Sequence, residues 1–119
     1  MATHNELGKE GERLAIEFLQ EKGYEILETN WRYGKAEIDV ICRSNSVLIV
    51  VEVKTRSAVT FGLPQDFVNP RKIRLLVSAI DHYCRSIGFE GEVRFDIVAL
   101  VCKHPQWKLD HIEDAFYHF

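Results

Sequence analysis

Asp39 and then Glu52-Val53-Lys54 bracket the most hydrophobic stretch of the chain, with the carboxylate and ammonium of Glu52 and Lys54 closing the apolar run Val47 to Val51. Two opposite charges at the end of such a run are costly to bury unless they pair with each other or hold a cation. Carboxylates are hard oxygen ligands suited to magnesium or manganese, which keep several waters and accept phosphate oxygens beside them. A lysine next to such an ion could orient the attacking water or offset charge on a pentavalent phosphate. The chemistry these residue types suggest is metal-assisted phosphodiester hydrolysis. The plainer alternative is a salt bridge at a strand end.

Strand alternation must position the trio. Glu52 and Lys54 point the same way, because side chains alternate faces along a strand. Ala36 to Cys42 and Val47 to Thr55 read as two strands joined through the polar residues Arg43-Ser44-Asn45-Ser46. A hairpin around those four residues sets Cys42 opposite Val47, Asp39 opposite Val50 and Glu37 opposite Glu52. Asp39 then shares a face with Glu52 and Lys54 as a diagonal neighbour, with Cα atoms about 7–8 Å apart. A loop of odd length would turn Asp39 to the other face.

Other elements frame this hairpin. Thr3 and Glu6 fit a capping box, and Leu7, Gly11, Leu14, Ala15, Phe18 and Leu19 recur at helical spacing, so a helix is predicted from Asn5 to Lys22, with Gly23 as its stop. Glu12 lies on the border of its apolar face, where a site role and an ordinary surface glutamate fit the spacing equally well. Gly8 and Gly11 lower helix stability by about 1 kcal/mol each relative to alanine, which suggests close approach of helix to sheet.

Tyr24 to Trp31 reads as a strand, and Trp31, Arg32 and Tyr33 could stack on bases or on each other. The stretch from Arg56 to Val68 has no clear period and reads as a long irregular connection. Asn69-Pro70 starts a second helix, whose apolar stripe runs through Ile73, Leu76, Val77, Ile80, Cys84 and Ile87 to a stop at Gly88. In its first turn stand Arg71, Lys72 and Arg74. Cations there oppose the helix dipole, but with free backbone N–H groups they suit a phosphate, and Arg56 extends that positive surface. Val93 to Val101 reads as a buried strand and Trp107 to Ile112 as an edge strand. A helix between the third and fourth strands permits a parallel crossover, so an α/β fold with a mixed sheet flanked by helices is expected.

The totals set limits. One domain over residues 1–119 is expected, with its core at about residues 5–101 and a terminal strand or tail beyond it. A 46% hydrophobic and 28% charged composition is that of an ordinary globular protein, and no apolar stretch is long enough to cross a bilayer. The first residues show no basic-then-apolar secretory pattern, so a cytoplasmic location is expected. Cys42, Cys84 and Cys102 are too widely spaced for a zinc module and read as buried filler. The five histidines show no ligand spacing and read as solvated. A formal net charge of −3 speaks against a nucleic-acid partner unless a basic face is gathered locally.

Asp39 with Glu52-x-Lys54 at the end of a core strand resembles the signature of the PD-(D/E)xK nuclease superfamily. The longer pattern comprises Gly8-x-x-Gly11-Glu12-x-x-Ala15, Gly23-Tyr24, Asn30-Trp31-Arg32, Glu37 to Ile41, Val51 to Arg56 and Arg94-Phe95-Asp96. It is similar to the uncharacterised YraN-like family of predicted endonucleases, related to Holliday-junction resolvases, from about Gly8 to Val101. Ile38 stands where the superfamily name has proline, which carries no catalytic group. The resemblance implies a restriction-endonuclease-like fold and a magnesium or manganese ion held by Asp39, Glu52 and the carbonyl of Val53. It further implies Lys54 as catalytic lysine, Glu12 as an additional acidic member, structured or branched DNA as substrate and a homodimer as the acting unit. The alternative is a nucleic-acid-binding module that keeps the fold without catalysis.

Overall fold

The computed structural model describes residues 4–57 and 69–116. Helix α1 (His4–Glu21) leads into β1 (Glu25–Tyr33), β2 (Ala36–Ser44) and β3 (Val47–Ser57); α2 (Pro70–Ile87) then connects to β4 (Glu92–Lys103) and β5 (Gln106–Ile112). The five strands lie in the order β1-β2-β3-β4-β5. All neighbours are antiparallel except β3 and β4, which run parallel because α2 carries the chain back across the sheet. This is the mixed α/β sheet flanked by helices that the order of elements predicts.

Alternation sorts the core into two layers. Ala15 and Leu19 of α1 pack on Val40, Cys42, Ile49, Val51, Val98 and Leu100. On the other face Leu76, Ala79, Ile80 and Tyr83 of α2 cover Ile38, Ile41, Leu48, Val50 and Phe95. Helix α2 begins as expected: the Asn69 side chain accepts from the Lys72 N–H at 2.9 Å, with Pro70 in the first turn. It ends at Gly88, whose φ of 71° lies in the left-handed region that glycine enters at little cost. Thr3, and with it the proposed capping box, lies outside the described residues.

The hairpin between β2 and β3 is tighter than the four-residue connection expected. Ser44 pairs with Val47, leaving Asn45-Ser46 as the turn, and Asn45 takes a φ of 55°, which asparagine tolerates. Every pair is therefore displaced by two positions: Cys42 faces Ile49 and Ile41 faces Val50. A displacement by an even number preserves the faces of the paired residues, but alternation breaks at Asp39. Ile38 packs under α2 and Val40 under α1, so Asp39 stands between the two faces and not simply on that of Glu52 and Lys54 as expected. Val40–Val51 is the last pair of this ladder, so Asp39 and Glu52 flank its end in place of the diagonal relation expected.

The ladder between β2 and β3 stops at Val40–Val51, whereas β1 stays paired with β2 down to Ala36 and β3 with β4 up to Cys102. The sheet thus splits at Asp39. Strand β3 also runs on through Arg56 and Ser57, so the irregular connection begins later than the sequence suggests, and its residues 58–68 lie outside the described ones.

Candidate active site

The split in the sheet creates the site. With no ladder partner beyond Val40, the Asp39 carboxylate accepts the Val53 N–H at 2.8 Å. Asp39 borders two depressions. One, of about 540 Å³, is lined by Glu12, Lys54, Thr55 and Arg56; the other, of about 470 Å³, by Lys35, Glu52, Asn69, Arg71 and Lys72.

Glu52 is only 5% exposed. Its Oε1 receives the Lys72 ammonium at 2.8 Å and lies 3.6 Å from the Lys54 Nζ. Burial, together with the negative charge of Glu52 beside it, pushes the Asp39 carboxyl up to about 7; the Val53 N–H and the Lys72 charge offset this only in part. Burial likewise holds the Lys54 ammonium below the usual lysine range, with the neighbouring Lys72 charge acting in the same direction and Glu52 against it. Lys72 moves the other way: burial lowers it, but its bond to Glu52 and the surrounding carboxylates outweigh that and raise it. Two carboxylates and two ammonium groups thus share one split in the sheet.

Glu12 reaches the site from α1. A Cβ on Gly11 would overlap the Thr55 hydroxyl, so glycine is what lets the helix lie against β3 directly beside Lys54. Gly8 has open space around its Cα and takes no part in that approach, contrary to the expectation for the pair. Glu12 enters the depression shared with Asp39 and Lys54, while Glu52 faces the one on the α2 side. Glu12 Oε1 accepts from Asn30 Nδ2 at 2.7 Å. Asn30, at a φ of 49°, was marked only by its place beside Trp31.

The basic residues of α2 divide. Lys72 turns inward onto Glu52, Arg71 lines the cleft, and Arg74 is exposed but outside the cleft lining. Arg56 lines the α1-side depression and donates to the Thr55 carbonyl at 3.0 Å. The close Lys72–Glu52 contact had no sequence signal, because the two residues belong to elements joined by a long connection.

Among the described residues no three His, Cys, Asp or Glu side chains converge on one point that could hold an ion. The donor set for a metal is therefore the Asp39 and Glu52 carboxylates plus backbone and water. These hard oxygens fit magnesium or manganese, and the like-charge crowding that raises Asp39 is what a divalent cation would relieve.

A second buried carboxylate stands apart from this cleft. Asp96 is fully buried and binds the Arg94 guanidinium through both oxygens at 2.9 Å, His111 Nε2 at 2.8 Å and the Asp114 N–H at 3.0 Å. Asp96 thus both pairs with Arg94 and ties β4 to β5 and the turn after it. His111 is a correction: expected in solvent, its side chain is almost wholly buried between Asp96 and the Lys22 ammonium.

Comparison with known proteins places the chain among relatives of matching length. The model of the uncharacterised protein family UPF0102 matches residues 11–100. A UPF0102 protein of Flavobacterium psychrophilum is 57% identical over 119 residues, covering 100% of both chains. One of Christiangramia forsetii is 54% identical over 119 residues, again covering 100% of each, and one of Phocaeicola vulgatus is 46% identical over 117 residues, covering 98% of this chain and 97% of its own. Among solved structures, a Holliday junction resolvase, Hjc of Archaeoglobus fulgidus, aligns over 86% of this chain and 74% of its own at 14% identity, with a TM-score of 0.49. With three quarters of its residues matched by the family model and relatives more than half identical along its whole length, the chain belongs to the uncharacterised protein family UPF0102.

Proposed function

We propose that this protein is a divalent-metal-dependent endonuclease that hydrolyses phosphodiester bonds in structured or branched DNA, acting in the cytoplasm as a homodimer. One observation carries the reading: a buried carboxylate, Glu52, and a half-buried one, Asp39, crowd each other at a split in the sheet with Lys54 3.6 Å from Glu52. A fold gains little from such crowding, since like charges repel and Lys72 and Lys54 offset that only in part. A cation-binding role gives it a purpose.

Asp39, Glu52 and the carbonyl of Val53 would hold magnesium or manganese. When bound, such an ion lowers the pKa of a coordinated water and neutralises phosphate oxygens. Lys54 holds its ammonium beside the carboxylates, where it orients the attacking water and offsets charge as the water oxygen bonds to phosphorus and the ester oxygen departs. Glu12, fixed by Asn30, is placed to accept a hydrogen bond from that water across the α1-side depression. Arg71 and Arg56, one at each depression, would hold the strand by its phosphates, and Arg74 would extend that contact along α2. Lys72, now on Glu52, would be free to contact a phosphate where Glu52 holds a cation.

The Lys72–Glu52 bond also favours one alternative, a nucleic-acid-binding module without catalysis, because the lysine already satisfies Glu52. A panel of branched, nicked, single-stranded and duplex substrates with magnesium or manganese separates the two. Cleavage that disappears with Lys54→Ala and with Glu52→Gln, while both variants stay folded, supports the enzyme. Binding that is indifferent to divalent ions, with no cleavage of any substrate, supports the module.

A further inference from the structure

At the far end of β1 three aromatic rings stand together. Tyr33 and His82 are stacked, with centroids 4.0 Å apart and planes 17° from parallel. Trp31 lies 6.3 Å from Tyr33 at 9° and 6.3 Å from His82 at 26°. Equal distances to two rings that are themselves 4.0 Å apart put Trp31 beside the pair and level with its middle, not over either ring. The Tyr33 face turned away from His82 is therefore covered by neither. Tyr33 is accordingly 41% exposed, one of two large hydrophobic side chains left in solvent among the described residues. Tyr83 holds Trp31 edge-on at 5.2 Å, which ties the cluster to both β1 and α2.

Its position connects it to the cleft. Tyr33 pairs directly with Ala36, which lines the Glu52 depression together with Lys35, Arg71 and Lys72. From Ala36 to Asp39 is three residues along one strand, about 10 Å. An open aromatic face, cations between it and the carboxylates, and a spacing of one or two nucleotides are the components of a single-strand binding groove.

We infer that Tyr33, backed by His82 and flanked by Trp31, is a stacking platform for an unpaired nucleobase one or two nucleotides from the phosphate held at Asp39 and Glu52. This rests on the nucleic-acid reading above and deepens it: the preferred strand carries an unpaired base beside the cut, as at a branch or flap, since a base inside a duplex already has both faces stacked. Arg32 is held by Glu37 at 3.1 Å, away from the role of base contact that its neighbours suggest.

The test is binding without cleavage. Anisotropy of a fluorescein-labelled oligothymidylate in EDTA should show binding by the whole protein that weakens about five- to a hundredfold in Tyr33→Leu, the range expected for one stacked base. Tyr33→Trp should retain it, and an abasic strand of the same length should bind wild type and Tyr33→Leu alike. His82→Ala, on the supporting ring, should weaken oligothymidylate in the same direction. Equal binding of oligothymidylate by wild type and a folded Tyr33→Leu overturns the platform, even if the enzyme cuts DNA. So does a Tyr33→Leu variant that changes only the sedimentation mass, which would make the ring face a contact between two copies. Because metal is absent throughout, loss of the nuclease reading alone would leave the stacking result standing.

Discussion

Two buried carboxylates one strand apart, Asp96 on β4 and Glu52 on β3, show opposite ways of keeping a charge out of water. Asp96 is surrounded by donors: a two-pronged arginine, a histidine and a backbone N–H. Burial would raise its pKa, but those hydrogen bonds outweigh it and hold the carboxyl below the usual aspartate range. Glu52 is met by the Lys72 and Lys54 ammonium groups but also by a second carboxylate, and burial together with the Glu52 charge drives that neighbour, Asp39, up to about 7. The first arrangement is complete without anything else. The second is improved by a cation, and that difference separates a structural polar network from a candidate reaction centre.

The comparison breaks most readily at Asp96. Asp96→Ala should lower unfolding free energy by about 3 kcal/mol, the cost of removing one partner of a buried pair, whereas Asp39→Asn should change it by less than about 1 kcal/mol or raise it. Urea denaturation of both variants measures this; equal losses would erase the distinction. The same network dictates an acid response. Asp96 has a lowered folded pKa, so its stabilisation is complete above the ordinary value of 3.8 and is lost as pH falls through the lower folded value. The gap in urea midpoint between wild type and Asp96→Asn should therefore narrow in acid.

At the other carboxylate the expected effect is catalytic. Lys54→Ala should reduce cleavage by about a hundredfold or more with the melting temperature little changed, since the developing charge loses its partner while Glu52 keeps its shorter bond to Lys72. Magnesium should stabilise wild type by about 2.7 kcal/mol at a hundredfold excess over its dissociation constant, and should not stabilise Glu52→Gln. Thermal melts with and without the ion decide this, and an equal shift in both proteins would remove Glu52 from the metal site.

The smallest effects concern how α1 is seated. Gly11→Ala, forced against Thr55, should cost about 1–3 kcal/mol and displace Glu12 from the site, while Gly8→Ala, with open space around it, should add about 0.5–1 kcal/mol. Measured together, they test whether the close approach belongs to one glycine.

Much of the site was legible because its rules are local. Alternation along β2 and β3 brought Asp39 near Glu52 and Lys54 despite a register wrong by two, but it missed the break at Asp39, where Ile38 and Val40 turn to opposite faces. Asn69, Pro70 and Gly88 marked α2 correctly because caps are read from adjacent residues. Local rules did not reach His111, taken for a solvated residue, because its burial depends on β5 lying against β4 and on α1 bringing Lys22 across. Nor did they reach Lys72, taken for a phosphate ligand and found on Glu52.

The sequence by itself determined the element order and the parallel crossover, both consequences of periods and caps within a few residues. Tertiary structure alone decided that β2 and β3 part at Asp39, that Asn30 fixes Glu12, that Lys72 crosses from α2 to Glu52 and that Tyr33 stacks on His82 with one face open. Each is a contact between segments far apart in the chain, set by how strands twist and helices dock, which no local pattern of residues encodes.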